Sequence, residues 1–123
     1  MPVNADKDAV YQVIYNLCHN AIKFSKEGGK FSINISKIQG KKIKISIYDQ
    51  GQVISTEDAK HIFDRFYKTD KSRGLDKSGV GLGLYICKTI IDAHGEIICH
   101  EPHDDGCEFW FTLKEGETLG KHK

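Results

Sequence analysis

The sequence predicts an α+β fold, a two-layer α/β sandwich with helices on one face of a mainly antiparallel, mixed sheet. Three observations predict it. Two long segments place apolar residues at helical spacing, and four shorter runs place them at alternate positions. Each alternating run has one apolar face, and such faces are buried most simply by a layer of helices. The length of 123 residues suits a single domain, 1–123, with one core.

The first helix is read in "DKDAVYQVIYNLCHNAIKFS". Val10, Val13, Ile14, Leu17, Ala21 and Phe24 recur at i, i+3, i+4 and i+7, Asp6 is its N-cap, and Gly28-Gly29 close the segment. "KFSINISKI" then alternates, with Phe31, Ile33 and Ile35 on one face, and "KKIKISIYD" does the same with Ile43, Ile45 and Ile47. Gly40 between the two predicts a hairpin. From about 50 to 81 the long-range period is lost. A short helix is expected over Ser55–Phe63, capped by Ser55 or Thr56, within a connection long enough to be a functional lid. The second long helix spans Leu82–His94 and ends at Gly95. "EIICHE" and "CEFWFTL" are two further strands around the turn "PHDDG", and 114–123 read as a polar, frayed tail. Val3 is expected to close a strand whose earlier residues lie outside the sequence, and Met1-Pro2 to be the start of a fragment.

Eighteen basic and seventeen acidic residues leave a formal charge of +1, which gives no whole-molecule case for nucleic acid. No apolar run is long enough to cross a bilayer, and no signal-peptide pattern opens the chain. The four cysteines, Cys18, Cys87, Cys99 and Cys107, form no C-x-x-C pair. They are read as reduced thiols within apolar patterns.

Three features cost stability and so invite a functional reading. Asp49 shares parity with Ile43, Ile45 and Ile47 and therefore points toward the helix layer. A carboxylate there is costly unless it is hydrogen-bonded, either as a cap of the turn at Gly51 or to a ligand. Asn16, Asn20 and Lys23 lie at i, i+4 and i+7, within an arc of about 60° that borders the apolar stripe. They read either as exposed surface or as oxygen ligands for a hard cation beside a phosphate-binding lysine. Gly79, Gly81 and Gly83 stand at the mouth of a helix, where each glycine costs about 1 kcal/mol relative to alanine. The pattern is neither a Walker A loop nor the dinucleotide fingerprint. It nevertheless suits close approach of phosphate to backbone N–H groups.

Four segments in order, "NLCHNAIKFS", "DQGQVIS", "IFDRFYK" and "GVGLGLYICKTIIDAHG", resemble the asparagine box, first glycine box, phenylalanine box and second glycine box of sensor histidine kinases. The resemblance covers roughly Asp6 to Leu113. It implies the Bergerat ATP-binding fold with a long ATP lid, shared with gyrase, mismatch-repair and chaperone ATPases, and implies ATP and Mg2+ as cofactors. On the matching positions it implies that Asn20 coordinates magnesium with Asn16 as its upstream helper. Lys23 is implied to contact phosphate and Asp49 to accept a hydrogen bond from the adenine amino group. Phe63 and Phe66 match the lid aromatics, and Arg65 a nearby basic residue. Gly51, Val53 and Ile54 of the first glycine box and Gly79, Val80, Gly81, Leu82, Gly83 and Leu84 of the second are implied to line the nucleotide. Asn16, Asn20 and Lys23 are the catalytic set.

The ATPase relatives carry a glutamate base where this chain has Asn16, and an amide is not a useful base. The resemblance therefore favours phosphoryl transfer to histidine over hydrolysis. His19, His61, His94, His100, His103 and His122 lack the family's acceptor setting. His19 and His94 read as helix-surface residues and His103 as a turn residue. The acceptor is expected on a dimerising helical domain of the same protein, absent here, with a response regulator downstream. The fragment is expected to be a monomeric cytoplasmic domain of a membrane-anchored, homodimeric parent. Val53 stands where the family's motif has a glycine, which predicts weakened ATP binding. A degenerate regulatory module of the same fold, or an ATPase of the wider superfamily, is the alternative.

Overall fold

A computed structural model of the chain describes residues 3–51, 53–67 and 82–116. In chain order they form β1 (Val3–Asn4), α1 (Lys7–Phe24), β2 (Phe31–Ile38), β3 (Lys42–Gln50), α2 (Thr56–Ala59), α3 (Gly83–Ala93), β4 (Ile98–His103) and β5 (Gly106–Glu115). Strand β5 organises the sheet. One of its edges carries β3 and then β2. The other is shared end to end by β4, opposite Gly106–Phe111, and β1, opposite Lys114 and Glu115. Every described pairing is antiparallel, so the mixed character expected from the sequence is not seen among the described strands.

Both long helices lie on one face. Val13, Leu17 and Ala21 of α1 and Cys87 and Ile91 of α3 bury against Ile43, Ile45, Ile47, Phe109, Phe111 and Leu113 of the sheet. Removing each such large side chain from water is worth about 1.5–3 kcal/mol, which makes this interface the main source of stability. The α1 N-terminus is capped as expected, Asp6 Oδ1 accepting from the N–H groups of Asp8 and Ala9 at 3.0 and 3.1 Å. His94 is not a free surface residue. Its Nδ1 lies 2.8 Å from the Ile90 carbonyl and its Nε2 accepts from Asp6 N–H at 3.1 Å, so one imidazole joins the end of α3 to the start of α1.

Other boundaries differ in instructive ways. The short helix covers only Thr56–Ala59, with Ser55 Oγ accepting from Asp58 N–H, and turns follow to Phe66. His103 ends β4 rather than lying in the turn, because it pairs with Gly106 across the β4–β5 ladder. The segment read as a tail begins two residues later than expected. Lys114 and Glu115 stay in β5 because β1 supplies a partner on the open edge. The apolar face of β2 is correctly oriented but uncovered. Phe31, Ile33 and Ile35 remain 41%, 46% and 58% exposed, since β2 is an edge strand beyond the reach of the helices.

Candidate active site

The site is built on the C-terminal end of β3. Asp49 points into the helix layer, as its parity requires, and is 2% exposed. Across the ladder it faces Cys107 on β5, whose thiol donates to Asp49 Oδ1 at 3.4 Å. The second carboxylate oxygen, Oδ2, is buried and has no hydrogen-bond partner. Burial pushes the Asp49 carboxyl above the usual carboxylate range, and the Cys107 hydrogen bond draws it partly back. Asp49 therefore does not act as a cap of the turn at Gly51. Its free oxygen is aimed at the space between the layers.

Three close backbone approaches fix this end of the strand. A Cβ on Gly51 would lie 2.6 Å from the Phe24 carbonyl and the Lys26 nitrogen, and one on Gly29 would lie 2.6 Å from the Gln50 carbonyl. One on Gly106 would lie 2.0 Å from the Asp49 carbonyl. The chain leaving α1 crosses here, with Ser25 bridged to Gly51 and Lys26 N–H bonded to the Gln50 carbonyl at 3.0 Å. That crossing ties the last turn of α1, which carries Asn20 and Lys23, to the end of β3. Gly51 is thus glycine for the sake of the protein's own packing.

On the α1 rim, Asn16 Nδ2 donates to the Gly83 carbonyl at 3.4 Å while its Oδ1 accepts from Gln12 Nε2 at 2.8 Å. Asn16 thereby positions the first residue of α3. Asn20 is half-buried one turn on, and exposed Lys23 holds its ammonium 5.2 Å from the Phe24 ring. A Cβ added at Gly83 would meet nothing within 4 Å, so protein packing among the described residues does not demand glycine there. Among the described residues no side chain caps the α3 N-terminus, where the first N–H groups of a helix lack intrahelical partners.

The lid aromatics separate in role. Phe63 packs edge-on to Phe109 with centroids 6.0 Å apart and joins the core. Phe66 is 61% exposed and adopts a left-handed φ of 66°, a costly conformation for an aromatic residue. Between them Arg65 sets its guanidinium 5.4 Å from the Phe66 ring and 5.7 Å from that of Tyr85, in the first turn of α3. Ile54 is buried, Leu82 and Leu84 are half-buried, and Val53 is 54% exposed. Gly79, Val80 and Gly81 lie outside the described residues. No cluster of three or more His, Cys, Asp or Glu side chains suited to a metal occurs among the described residues. A cation at this rim would rest on amide oxygens and on oxygens of its own ligand.

Gly29, Gly106 and Cys107 read in the sequence only as a helix stop, a turn residue and a thiol in an apolar pattern, with no tie to the site. Cys107 lies opposite Asp49 through the β3–β5 register, whereas the "PHDDG" turn fixes only its pairing with Pro102 on β4.

Residues 5–117 match the family model described as histidine kinase-, DNA gyrase B- and HSP90-like ATPase. The chain belongs to this family. Within it, the chain is 38% identical over 113 residues to the adaptive-response sensory kinase SasA of Microcystis aeruginosa, covering 91% of this chain and 29% of that protein. The catalytic domain of the histidine kinase ThkA superposes with a TM-score of 0.79 at 35% identity, covering 92% of this chain and 71% of that one. Full-length ShkA, solved in complex with AMPPNP, superposes with the same TM-score at 30% identity, covering 92% of this chain and 23% of that one. The histidine-kinase-type ATPase fold is therefore shared over nearly the whole chain. The chain spans about three tenths or less of the length of such curated relatives.

Proposed function

We propose that this chain is the ATP-binding catalytic domain of a two-component sensor histidine kinase, which presents the γ-phosphoryl of Mg-ATP to a histidine on a helical dimerisation domain of the same protein. The observation that carries this reading is the buried, partnerless Oδ2 of Asp49. A buried anionic acceptor left open is expensive, and an exocyclic amine of a purine base is a fitting donor for it. The α3 N-terminus, which no described side chain caps, and the space that the described residues leave at Gly83 suit the phosphates at the other end of such a ligand.

In this reading Asp49 accepts from the base and sets its orientation. The first N–H groups of α3 hold phosphate oxygens. Lys23 on one rim and Arg65 on the other offset negative charge as the phosphoryl transfers. Asn20, with Asn16 beside it, would hold a magnesium ion, which supplies charge neutralisation of the phosphate oxygens when bound. Asn16 also keeps the start of α3 against α1. As an amide it does not abstract a proton from water, which favours a histidine acceptor that brings its own lone pair. The phosphorylated histidine then serves a response regulator, and the parent acts as a membrane-anchored homodimer. Among the described residues no helix is long and apolar enough to cross a membrane, so an anchor would lie outside them.

The test is transfer of radiolabel from γ-labelled ATP to the full-length parent. Acid-labile, base-stable label that disappears in an Asp49→Asn parent is expected. Release of free phosphate without labelled protein would favour the ATPase alternative. Failure of the intact domain to bind Mg-ATP would favour the regulatory module.

A further inference from the structure

The reaction uses Asp49, but Cys107 beneath it has no role in the scheme above. Both residues are 2% exposed, and they are direct cross-strand partners. Their relation is held from several sides. Gly106 lets β5 start against the Asp49 carbonyl, where any Cβ would sit 2.0 Å from that oxygen. The turn before it is laced to β3: Gly51 N–H bonds the Asp105 carbonyl at 2.9 Å, and the Asp105 carboxylate accepts from Tyr48 Oη at 2.7 Å and from Gln50 Nε2 at 3.1 Å. These contacts fix the two strands so that Cys107 and Asp49 stay cross-strand neighbours, with the thiol 3.4 Å from Oδ1. Burial, then the adjacent Asp49 charge, pushes that thiol far above the ordinary cysteine range. It is a neutral S–H donor rather than a nucleophile.

We propose that Cys107 is a specificity-determining positioning residue: by donating to Oδ1 of Asp49 it pins the carboxylate and leaves Oδ2 as a fixed acceptor that selects a 6-aminopurine over a 6-oxopurine nucleotide. This inference rests on the nucleotide-binding reading of the site. The reasoning is one of donors and acceptors. An unpinned carboxylate turns about its terminal bond and shows either oxygen in either direction. Deprived of its one donor in a buried site, it also takes up a proton more readily. A protonated acid donates as well as accepts. It would then accommodate a 6-oxo group, and discrimination would be lost. A donor on Oδ1 opposes both changes without touching the base, and so it acts on selectivity through Asp49.

The experiment measures binding of Mg-ATP and Mg-ITP by calorimetry to the chain and to its Cys107→Ala, Cys107→Val and Cys107→Ser variants. Valine fills the space that alanine empties, and serine restores a donor. The expected result is an ATP-over-ITP preference that drops by about tenfold in the alanine and valine variants, roughly the worth of one oriented hydrogen bond. The serine variant keeps the preference to within about threefold. An unchanged preference in all variants, or equal weakening toward both nucleotides, overturns the proposal and leaves Cys107 as packing. A parent chain that binds neither nucleotide overturns the nucleotide reading itself, and this inference with it.

Discussion

Replacing Asp49 with asparagine should stabilise the empty domain while disabling it. The parent carboxylate is buried, one oxygen accepts only a weak thiol donor and the other accepts nothing. A buried acceptor without a partner costs about 1–3 kcal/mol, and more when charged. The amide has nearly the same shape, keeps an oxygen for Cys107 and removes the charge. A gain of about 1 kcal/mol or more follows. For a domain of this size that raises Tm by about 4 °C per kcal/mol. The gain should depend on pH with a definite sign. Asp49 has a folded pKa above its unfolded value, so its burden is full at neutral pH and fades as pH falls through the folded pKa toward about 3.9. Parent and variant should therefore converge on acidification. Binding should move the other way. The new amide N–H group faces the base amine, donor against donor, and the lost bond to a charged acceptor is worth about 1.5–3 kcal/mol, or at least tenfold in Kd. Scanning calorimetry without nucleotide and titration with Mg-ATP measure the two arms. An asparagine variant that melts lower than the parent at pH 7, or that binds Mg-ATP as tightly, refutes the reasoning.

Other predictions follow from single contacts. Gly106→Ala pushes a methyl to 2.0 Å from the Asp49 carbonyl, so urea titration should show a loss of more than about 2 kcal/mol and weaker nucleotide binding with it. His100 packs on Phe109 with centroids 5.3 Å apart, and its Nε2 is buried without a partner. Burial foremost, with His103 adding to it against the opposing Glu101, holds its pKa below 6.5. Its neutral form is favoured by folding. Stability should thus be full above about pH 6.5 and fall as the pH drops toward the folded pKa, a slope that a His100→Leu variant should lack in pH-dependent melts. Val53→Gly, which restores the family's glycine, should tighten Mg-ATP binding in a calorimetric titration. Equal affinities would remove Val53 as a source of weakness.

Much of this site was legible in the sequence because it depends on local periods. Strand alternation alone sends Asp49 inward, and helical spacing alone puts Asn16, Asn20 and Lys23 on one rim. What escaped was pairwise. Gly29 and Gly106 are glycine because a particular carbonyl passes close by, and no local pattern encodes that neighbour. The uncovered face of β2 has the same cause: alternation gives a side chain its face, whereas an edge position decides whether anything lies over it. His94 reads as a surface residue of α3 until the start of α1 is brought beside it. The order of resemblance boxes carried the family, yet it was silent on Cys107, which matters only once β5 is known to lie beside β3.

The shared edge of β5 sets an order of events in folding. Val3 pairs with Glu115 and Asn4 with Lys114, contacts between nearly the first and last described residues, whereas β2 with β3 and β4 with β5 are local hairpins. Joining such distant segments carries the largest loop-closure entropy, and only two residues on each side repay it. The β1 seam should therefore knit last when the chain collapses. Its amides should be the earliest to trade hydrogen for deuterium in the native protein, well before those of Ile45 and Phe111 at the centre of the sheet.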